Sequence, residues 1–323
     1  MRPKVYVTRR LPREGLDRLA ASCDVTVNPR DRAPSKEELL AAAAAADGVV
    51  GLLSDPIDAD FFKAAGNLKG YANYAVGFDN VDLAEATRRG IPVSNTPGVL
   101  TDATAELAWA LLFAASRHVA ASDREMRAGK WPGWGPLQYL GHGVSGRTLG
   151  IVGAGRIGTA MALMSRGFSM KVLYASPRRN EVLERKLSAR KTDLDELLAQ
   201  SDFVSIHTPL DDSTRHLIGP DAFARMKETA VLVNTARGPV VDEAALVTAL
   251  KTGRIAAAGL DVYENEPQTA PGLAELENAV LTTHIGSATF TARTDMSLMV
   301  ANDLLDMLQG KKPEHCLNPE VFG

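Results

Sequence analysis

The stretch Thr148-Leu149-Gly150-Ile151-Val152-Gly153-Ala154-Gly155-Arg156-Ile157-Gly158 decides the reading of this chain. Its first five residues form a short apolar run of the kind that makes a buried strand. Beyond Gly155, residues Ile157, Ala160, Met161 and Met164 share one face of a helix. A Gly-x-Gly-x-x-Gly pattern alone is weak evidence, and the strand before it and the helix after it supply the missing context. Gly153 permits a tight turn, Gly155 lets a pyrophosphate approach the backbone, and Gly158 lets helix and strand pack closely. Amides of the first helical turn, from Arg156 and Ile157, then face phosphate oxygens. A dinucleotide site is expected.

Strand-like runs continue on the C-terminal side at 171–174, 203–206, 230–233, 256–260 and 280–282, with helical segments between them. On the N-terminal side they lie at 5–7, 25–27, 48–52 and 70–74. Ser35-Lys36-Glu37-Glu38 reads as a capping box, and the alanines of 41–46 continue that helix. Strands alternating with helices imply parallel sheets, and two such blocks imply an α/β protein of two Rossmann-like or flavodoxin-like domains. A cleft between them is expected to take ligands at the carboxyl ends of the strands. Long helices are expected over 101–117 and 291–309. Residues 120–146 break the pattern, and Trp131-Pro132-Gly133-Trp134-Gly135-Pro136 carries two of the 3 tryptophans. That aromatic surface is explained equally by core packing or by contact with a second subunit.

The 323 residues exceed the usual size of one domain. With 36 basic and 39 acidic residues the net charge is -3, which gives no reason to expect nucleic acid or an anionic membrane as partner. The most apolar stretch, Leu107 to Ala115, is far short of the ~20 residues that span a bilayer. Cys23 and Cys316 make no disulfide framework, and Met1 to Val7 runs directly into a strand without the core of a signal peptide. A cytoplasmic protein is expected, with no metal.

The strand after the glycine motif bears on cofactor choice. NAD sites usually carry an acid about 20 residues on, which holds the ribose 2′-hydroxyl. Here Ser176 stands in that place, followed by Arg178 and Arg179, with no acid before Glu181. A hydroxyl and guanidinium groups suit a 2′-phosphate, so NADPH is expected, with NADH as the weaker alternative. The competing explanation is that both arginines are simply solvated.

Arg237, Glu266 and His284 stand near the carboxyl ends of three successive strands. An imidazolium can protonate a carbonyl oxygen as hydride arrives at its carbon. A neighbouring carboxylate would stabilise that charge and raise the histidine pKa, and a guanidinium can grip a substrate carboxylate. Each residue alone has an ordinary structural reading; together they are the parts needed to reduce a 2-keto acid. Of the 6 histidines, His118, His142, His216 and His315 suggest no chemistry, and His207 is expected to shape the cofactor pocket.

These motifs, with Asn73-Tyr74-Ala75-Val76-Gly77-Phe78-Asp79, Asn95-Thr96-Pro97, Thr101-Asp102-Ala103-Thr104, His207-Thr208-Pro209, Thr235-Ala236-Arg237-Gly238 and Gly259-Leu260-Asp261-Val262-Tyr263-Glu264, cover essentially the whole chain. The sequence resembles the D-isomer-specific 2-hydroxyacid dehydrogenases, most closely their glyoxylate/hydroxypyruvate reductase branch. The resemblance implies a discontinuous substrate domain, 1–99 with 290–323, around a dinucleotide-binding domain, 100–289. It implies that Arg237 binds substrate, Glu266 supports and His284 donates the proton, and that Val76 and Gly77 hold the carboxylate through their amides. Leu53 and Trp134 would shape the substrate pocket. Thr104 would lie by the nicotinamide and Asp261 by its carboxamide. His207, Pro209 and Thr214 would line the adenosine side, with Thr235, Ala236 and Gly286 near the nicotinamide ribose. A homodimer joined through the segment after the long helix is also implied. Ser176 departs from the NAD-linked lactate and phosphoglycerate members, and Glu266 argues against a formate dehydrogenase. Alternatives are a dehydrogenase for another keto acid (2-ketogluconate, D-lactate or phosphoglycerate type) or a dinucleotide-sensing corepressor.

Overall fold

The computed structural model describes residues 1–30 and 32–323, which fall into two compact units, 1–100 with 287–323 and 101–286. In the first, strands β1 (Lys4–Val7), β2 (Asp24–Val27), β3 (Gly48–Leu52), β4 (Tyr71–Tyr74) and β5 (Val93–Ser94) form a parallel sheet in the order β2-β1-β3-β4-β5. Helices α1 (Arg13–Ala20), α2 (Lys36–Ala45), α3 (Ala59–Ala64) and α4 (Leu83–Arg88) connect them. Ser35 and Glu38 make the expected reciprocal capping box at the start of α2. Buried Phe61, Phe62 and Tyr71 meet edge-on, with ring centroids 5.3 and 5.8 Å apart.

Strand β5 has no counterpart in the sequence reading, because two residues are too short to show a period. On the side away from β4 its support comes from the far end of the chain: Asn318 Oδ1 accepts the Val93 N–H at 2.8 Å, and Leu317 N–H donates to the Val93 carbonyl at 2.8 Å. The C-terminal helix, Phe290–Leu308, packs on α1 and β4 in this same unit.

The second unit opens with α5 (Thr101–Ser116) and α6 (Val119–Arg127). Strands β6 (Thr148–Val152), β7 (Lys171–Ala175), β8 (Arg190–Lys191), β9 (Phe203–Ile206), β10 (Val231–Asn234), β11 (Ala257–Leu260) and β12 (Ala279–Leu281) follow, all parallel. Between them run α7 (Arg156–Met164), α8 (Glu181–Leu187), α9 (Leu194–Gln200), α10 (Pro220–Arg225) and α11 (Glu243–Lys251). The sheet order is β12-β11-β10-β9-β6-β7-β8, so the chain reverses direction across the sheet beside β6 and β9. Both faces are covered. Val231 and Val233 of β10 enter one apolar cluster with Leu149 and Ile151, while Leu232 enters the other with Leu246 and Leu250. Burial on both faces is why these strands read as continuous apolar runs rather than alternating ones.

Residues 120–146, read from sequence as a break in the pattern, begin in fact with most of helix α6. Only Ala121 of this helix is buried, so no apolar stripe marks it; an Asp123–Arg127 ion pair of 2.8 Å spans one turn of its exposed face. Elsewhere in the second sheet the two-residue strand β8 also has no counterpart in the reading, and the other strand boundaries differ from it by at most one residue, as at Val231 and Ala279.

Candidate active site

β10, β11 and β12 are parallel neighbours, so their carboxyl ends reach one edge of the second sheet. Arg237, Glu266 and His284 each sit on the turn leaving one of them. Asn234, at the end of β10, turns its side chain onto its own loop: Oδ1 accepts the Ala236 N–H at 3.0 Å and Nδ2 donates to the Arg237 carbonyl at 2.9 Å. Arg237 is half-buried, and its Nη1 donates to the Ala236 carbonyl at 2.8 Å. Gly238 lets the turn after β11 lie directly against this loop. A Cβ added there would stand 1.8 Å from the Tyr263 carbonyl carbon, so no other residue fits.

His284 Nδ1 lies 2.8 Å from Glu266 Oε2, with the two side chains 25% and 32% exposed. Glu266 Oε1 accepts the Tyr263 N–H at 3.1 Å. Partial burial pushes the Glu266 carboxyl upward, but the His284 hydrogen bond and charge, the Tyr263 N–H and the positive charge of Arg237 outweigh it. The group is held below the ordinary carboxylate range.

The turn carrying His284 is fixed from below by Asp261, which is only 1% exposed. Asp261 Oδ1 accepts from Thr282 Oγ1 at 2.6 Å and from the Ile285 N–H at 2.8 Å, and Oδ2 accepts the Gly286 N–H at 2.8 Å. His284 itself holds a left-handed backbone, φ 55°. That conformation is uncommon for a side chain with a Cβ and persists only where the surroundings impose it. Tyr263 Oη adds a bond to the Thr282 carbonyl at 2.7 Å.

The glycine motif lies where the sheet reverses direction. Gly153 has φ +94°, and a Cβ there would lie 2.7 Å from the His207 carbonyl carbon on the neighbouring strand end. At Gly158 a Cβ would meet the Gly153 carbonyl oxygen at 2.1 Å, whereas at Gly155 it would meet nothing within 4 Å. No side chain caps the start of α7. Its first amides, including those of Arg156 and Ile157, therefore border open space beside Gly155, as a phosphate requires. Thr235 Oγ1 is buried without a hydrogen-bond partner among the described residues, a second polar atom suited to a ligand. These residues fit a dinucleotide.

Around this cradle, His207 Nε2 bonds to Ser205 Oγ at 2.8 Å, and burial pushes its pKa down to about 3. Thr214 Oγ1 donates to the Pro209 carbonyl at 2.7 Å, shaping the exposed loop after β9. Thr104 of α5 is buried, with Oγ1 3.6 Å from where a Cβ of Gly286 would stand. Past β7, a concavity of about 1090 Å³ is lined by Ser176, Arg179, Glu184 and the 188–194 segment. Arg179 is committed there to Glu184, its Nε 3.2 Å from Oε1, while Ser176 and the exposed Arg178 make no side-chain hydrogen bond among the described residues.

In the first unit, Val76 and Gly77 follow β4. Their carbonyls are drawn inward, Val76 O accepting from Asn95 Nδ2 at 2.7 Å and Gly77 O from Asn73 Nδ2 at 2.9 Å. Neither of their amides has an acceptor among the described residues. Asn80 Nδ2 ties the turn after β3, which carries half-buried Leu53, to this loop through the Leu52 and Asp55 carbonyls, both at 3.1 Å. Trp134, in the second unit, is 83% exposed and Leu137 79%.

Sequence reasoning did not find Asn73, Asn95 and Asn234 as loop anchors, nor Glu243, which accepts from the Glu264 and Ala270 amides on either side of Glu266, nor Glu264, which accepts the Glu243 N–H. It set His216 aside, yet His216 Nε2 bonds to Glu264. A polar residue at or near the carboxyl end of a strand was the available signal for the three asparagines, whereas the partners of Asn95, Glu243 and Glu264 lie 19 or more positions away along the chain.

Residues 109–286 match the model of the D-isomer specific 2-hydroxyacid dehydrogenase NAD binding domain. A glyoxylate reductase of Korarchaeum cryptofilum is 48% identical over 323 residues, covering 99% of this chain and 97% of the relative. The crystal structure of a glyoxylate reductase from Paecilomyes thermophila matches with a TM-score of 0.88 at 33% identity, covering 99% of each chain. That of an NADPH-dependent glyoxylate/hydroxypyruvate reductase from Sinorhizobium meliloti, in complex with NADP and malonate, matches with a TM-score of 0.87 at 30% identity, covering 100% of this chain and 98% of the other. The chain belongs to the D-isomer-specific 2-hydroxyacid dehydrogenase family, in its glyoxylate reductase branch. As such it is an oxidoreductase whose cofactor is a nicotinamide dinucleotide.

Among the described residues, no helix is long and apolar enough to cross a membrane, and no group of three or more His, Cys, Asp or Glu is placed to hold a metal ion.

Proposed function

We propose that the protein is an NADPH-preferring reductase of small 2-keto acids, converting glyoxylate to glycolate and hydroxypyruvate to D-glycerate. The bond between His284 Nδ1 and Glu266 Oε2, close to Arg237, carries this reading. The bound nicotinamide supplies the hydride to the carbonyl carbon. Glu266, held ionised, accepts from Nδ1 and so presents Nε2 as the nitrogen that hands its proton to the carbonyl oxygen. Arg237 pairs with the substrate through its planar fork and polarises the carbonyl. The unclaimed amides of Val76 and Gly77 suit the substrate carboxylate, with Leu53 and Trp134 as pocket residues.

For the cofactor, the amides from Gly153 to Gly158 take the pyrophosphate. Ser176 and Arg178 take the 2′-phosphate, and the commitment of Arg179 to Glu184 leaves it a lesser part. His207, Pro209 and Thr214 border the adenosine, and Thr235, Ala236, Thr104, Asp261 and Gly286 the nicotinamide end. The exposed row Val119, Met126, Trp131, Trp134, Leu137 and Leu140 supports a homodimer through this segment. Sedimentation at the monomer mass of 34.5 kDa would remove that part. Steady-state kinetics on a panel of 2-keto acids with both cofactors tests the rest. Equal or better efficiency with NADH overturns the cofactor preference, and no turnover on any 2-keto acid overturns the reading.

A further inference from the structure

Glu243 is the first residue of α11 and only 4% exposed, an unusual place for a carboxylate. An acid near a helix start is ordinarily explained by the helix dipole or by capping. Here the cap is already provided by Asp242, whose Oδ1 accepts the Ala245 N–H at 2.9 Å. Glu243 turns away from its own helix: Oε2 accepts the Glu264 N–H at 2.9 Å and Oε1 the Ala270 N–H at 2.9 Å. Those two amides bracket the segment 264–270, which carries Glu266. Glu264 returns the contact, its Oε2 accepting the Glu243 N–H at 3.2 Å while Oε1 bonds to His216 Nε2. Inside the bracket, Gln268 N–H donates to the Asn265 carbonyl at 2.9 Å.

We infer that Glu243 is a positioning residue for the reduction, clamping both ends of the 264–270 loop so that the Glu266 carboxylate stays on His284 Nδ1. This rests on the reading of His284 as proton donor. The clamp needs two acceptor oxygens facing two N–H donors, which an ionised carboxylate supplies and few other side chains can. Glutamine would set an NH₂ group against one of the donors. Aspartate, a methylene shorter, would not reach both.

The test uses the full chain with glyoxylate and NADPH. Glu243→Gln is expected to lower kcat by roughly 10–100-fold, the scale of a catalytic group displaced by up to about an ångström. The dissociation constant of NADPH, read by fluorescence titration, should stay within about twofold. In a Glu266→Gln background the same substitution should cost no more than about a further twofold, because the group it positions is already gone. An equal loss in both backgrounds, or an unchanged kcat in the parent, overturns the inference. If Glu243→Gln does not fold, Glu264→Gln carries the same cycle: a smaller kcat loss confined to the Glu266 background supports the clamp, and a loss in both backgrounds sinks it. His284→Ala separates the two levels, since full turnover there removes the proton-donor reading whatever the Glu243 variants do.

Discussion

Asp261 Oδ2 accepts the Gly286 N–H at 2.8 Å while its other oxygen holds the Ile285 N–H at the same distance. A buried carboxylate at the end of β11 thus closes the turn after β12, and His284 is the residue held in the left-handed conformation inside it. Family resemblance points Asp261 toward the nicotinamide carboxamide. The geometry adds a second task, since three protein donors already converge on it.

Asp261→Ala leaves the Thr282 hydroxyl and two amides without their acceptor. Stability should fall by about 2–4 kcal/mol, as expected for several buried donors losing a charged partner. Urea unfolding measures the loss, and kcat should drop with it as His284 loses its setting. A raised KM for NADPH with unchanged stability would show that the carboxamide contact is the whole role.

Substitution of His284 by alanine should reduce kcat by roughly 10²–10⁴-fold, the usual contribution of a general acid. Cofactor binding should persist, because the glycine cradle lies on β6 and α7. Retained turnover would remove His284 from the chemistry.

Arg178→Ala and Arg179→Ala should behave differently. The first removes the proposed charge-assisted contact to a 2′-phosphate, worth about 1.5–3 kcal/mol, so KM for NADPH should rise roughly 10–100-fold with little effect on NADH. Arg179 is held by Glu184, and its loss should change the ratio of the two cofactors far less. Equal effects of Arg178→Ala on both cofactors would place Arg178 outside the site.

His207 bears on acid stability. Its folded pKa of about 3 lies below the ordinary histidine value, so its neutral form stabilises the protein fully above about pH 6.5. As pH falls from there toward 3, the unfolded chain takes up a proton that the folded one refuses. The resulting cost is at most about 1.4 kcal/mol per pH unit. In urea unfolding, wild type should therefore lose its advantage over His207→Asn between pH 7 and 4.5. A constant difference across that range would contradict a neutral imidazole in the folded protein.

Much of this protein was legible before any tertiary contact was known. Gly153 to Gly158 between a strand and a helix announced the cofactor domain, because the chemistry of a tight turn, an open backbone and a close helix contact is local. Arg237, Glu266 and His284 were legible as strand-end residues for a similar reason: parallel strands carry their carboxyl ends to one edge whatever lies between them. Helix α6 and strand β5 were not legible, one lacking a buried stripe and the other drawing its support from Asn318.

The sequence by itself determined the fold class and the chemical inventory of the site, since periodicity and residue type need only neighbours along the chain. Tertiary structure alone decided how that inventory is held. Asp261 beneath the His284 turn, Glu243 across the Glu266 loop and Gly238 under Tyr263 join residues about twenty or more positions apart. Such pairings follow from which strand lies beside which, and sheet order is set by the packing of the whole unit rather than by any local stretch.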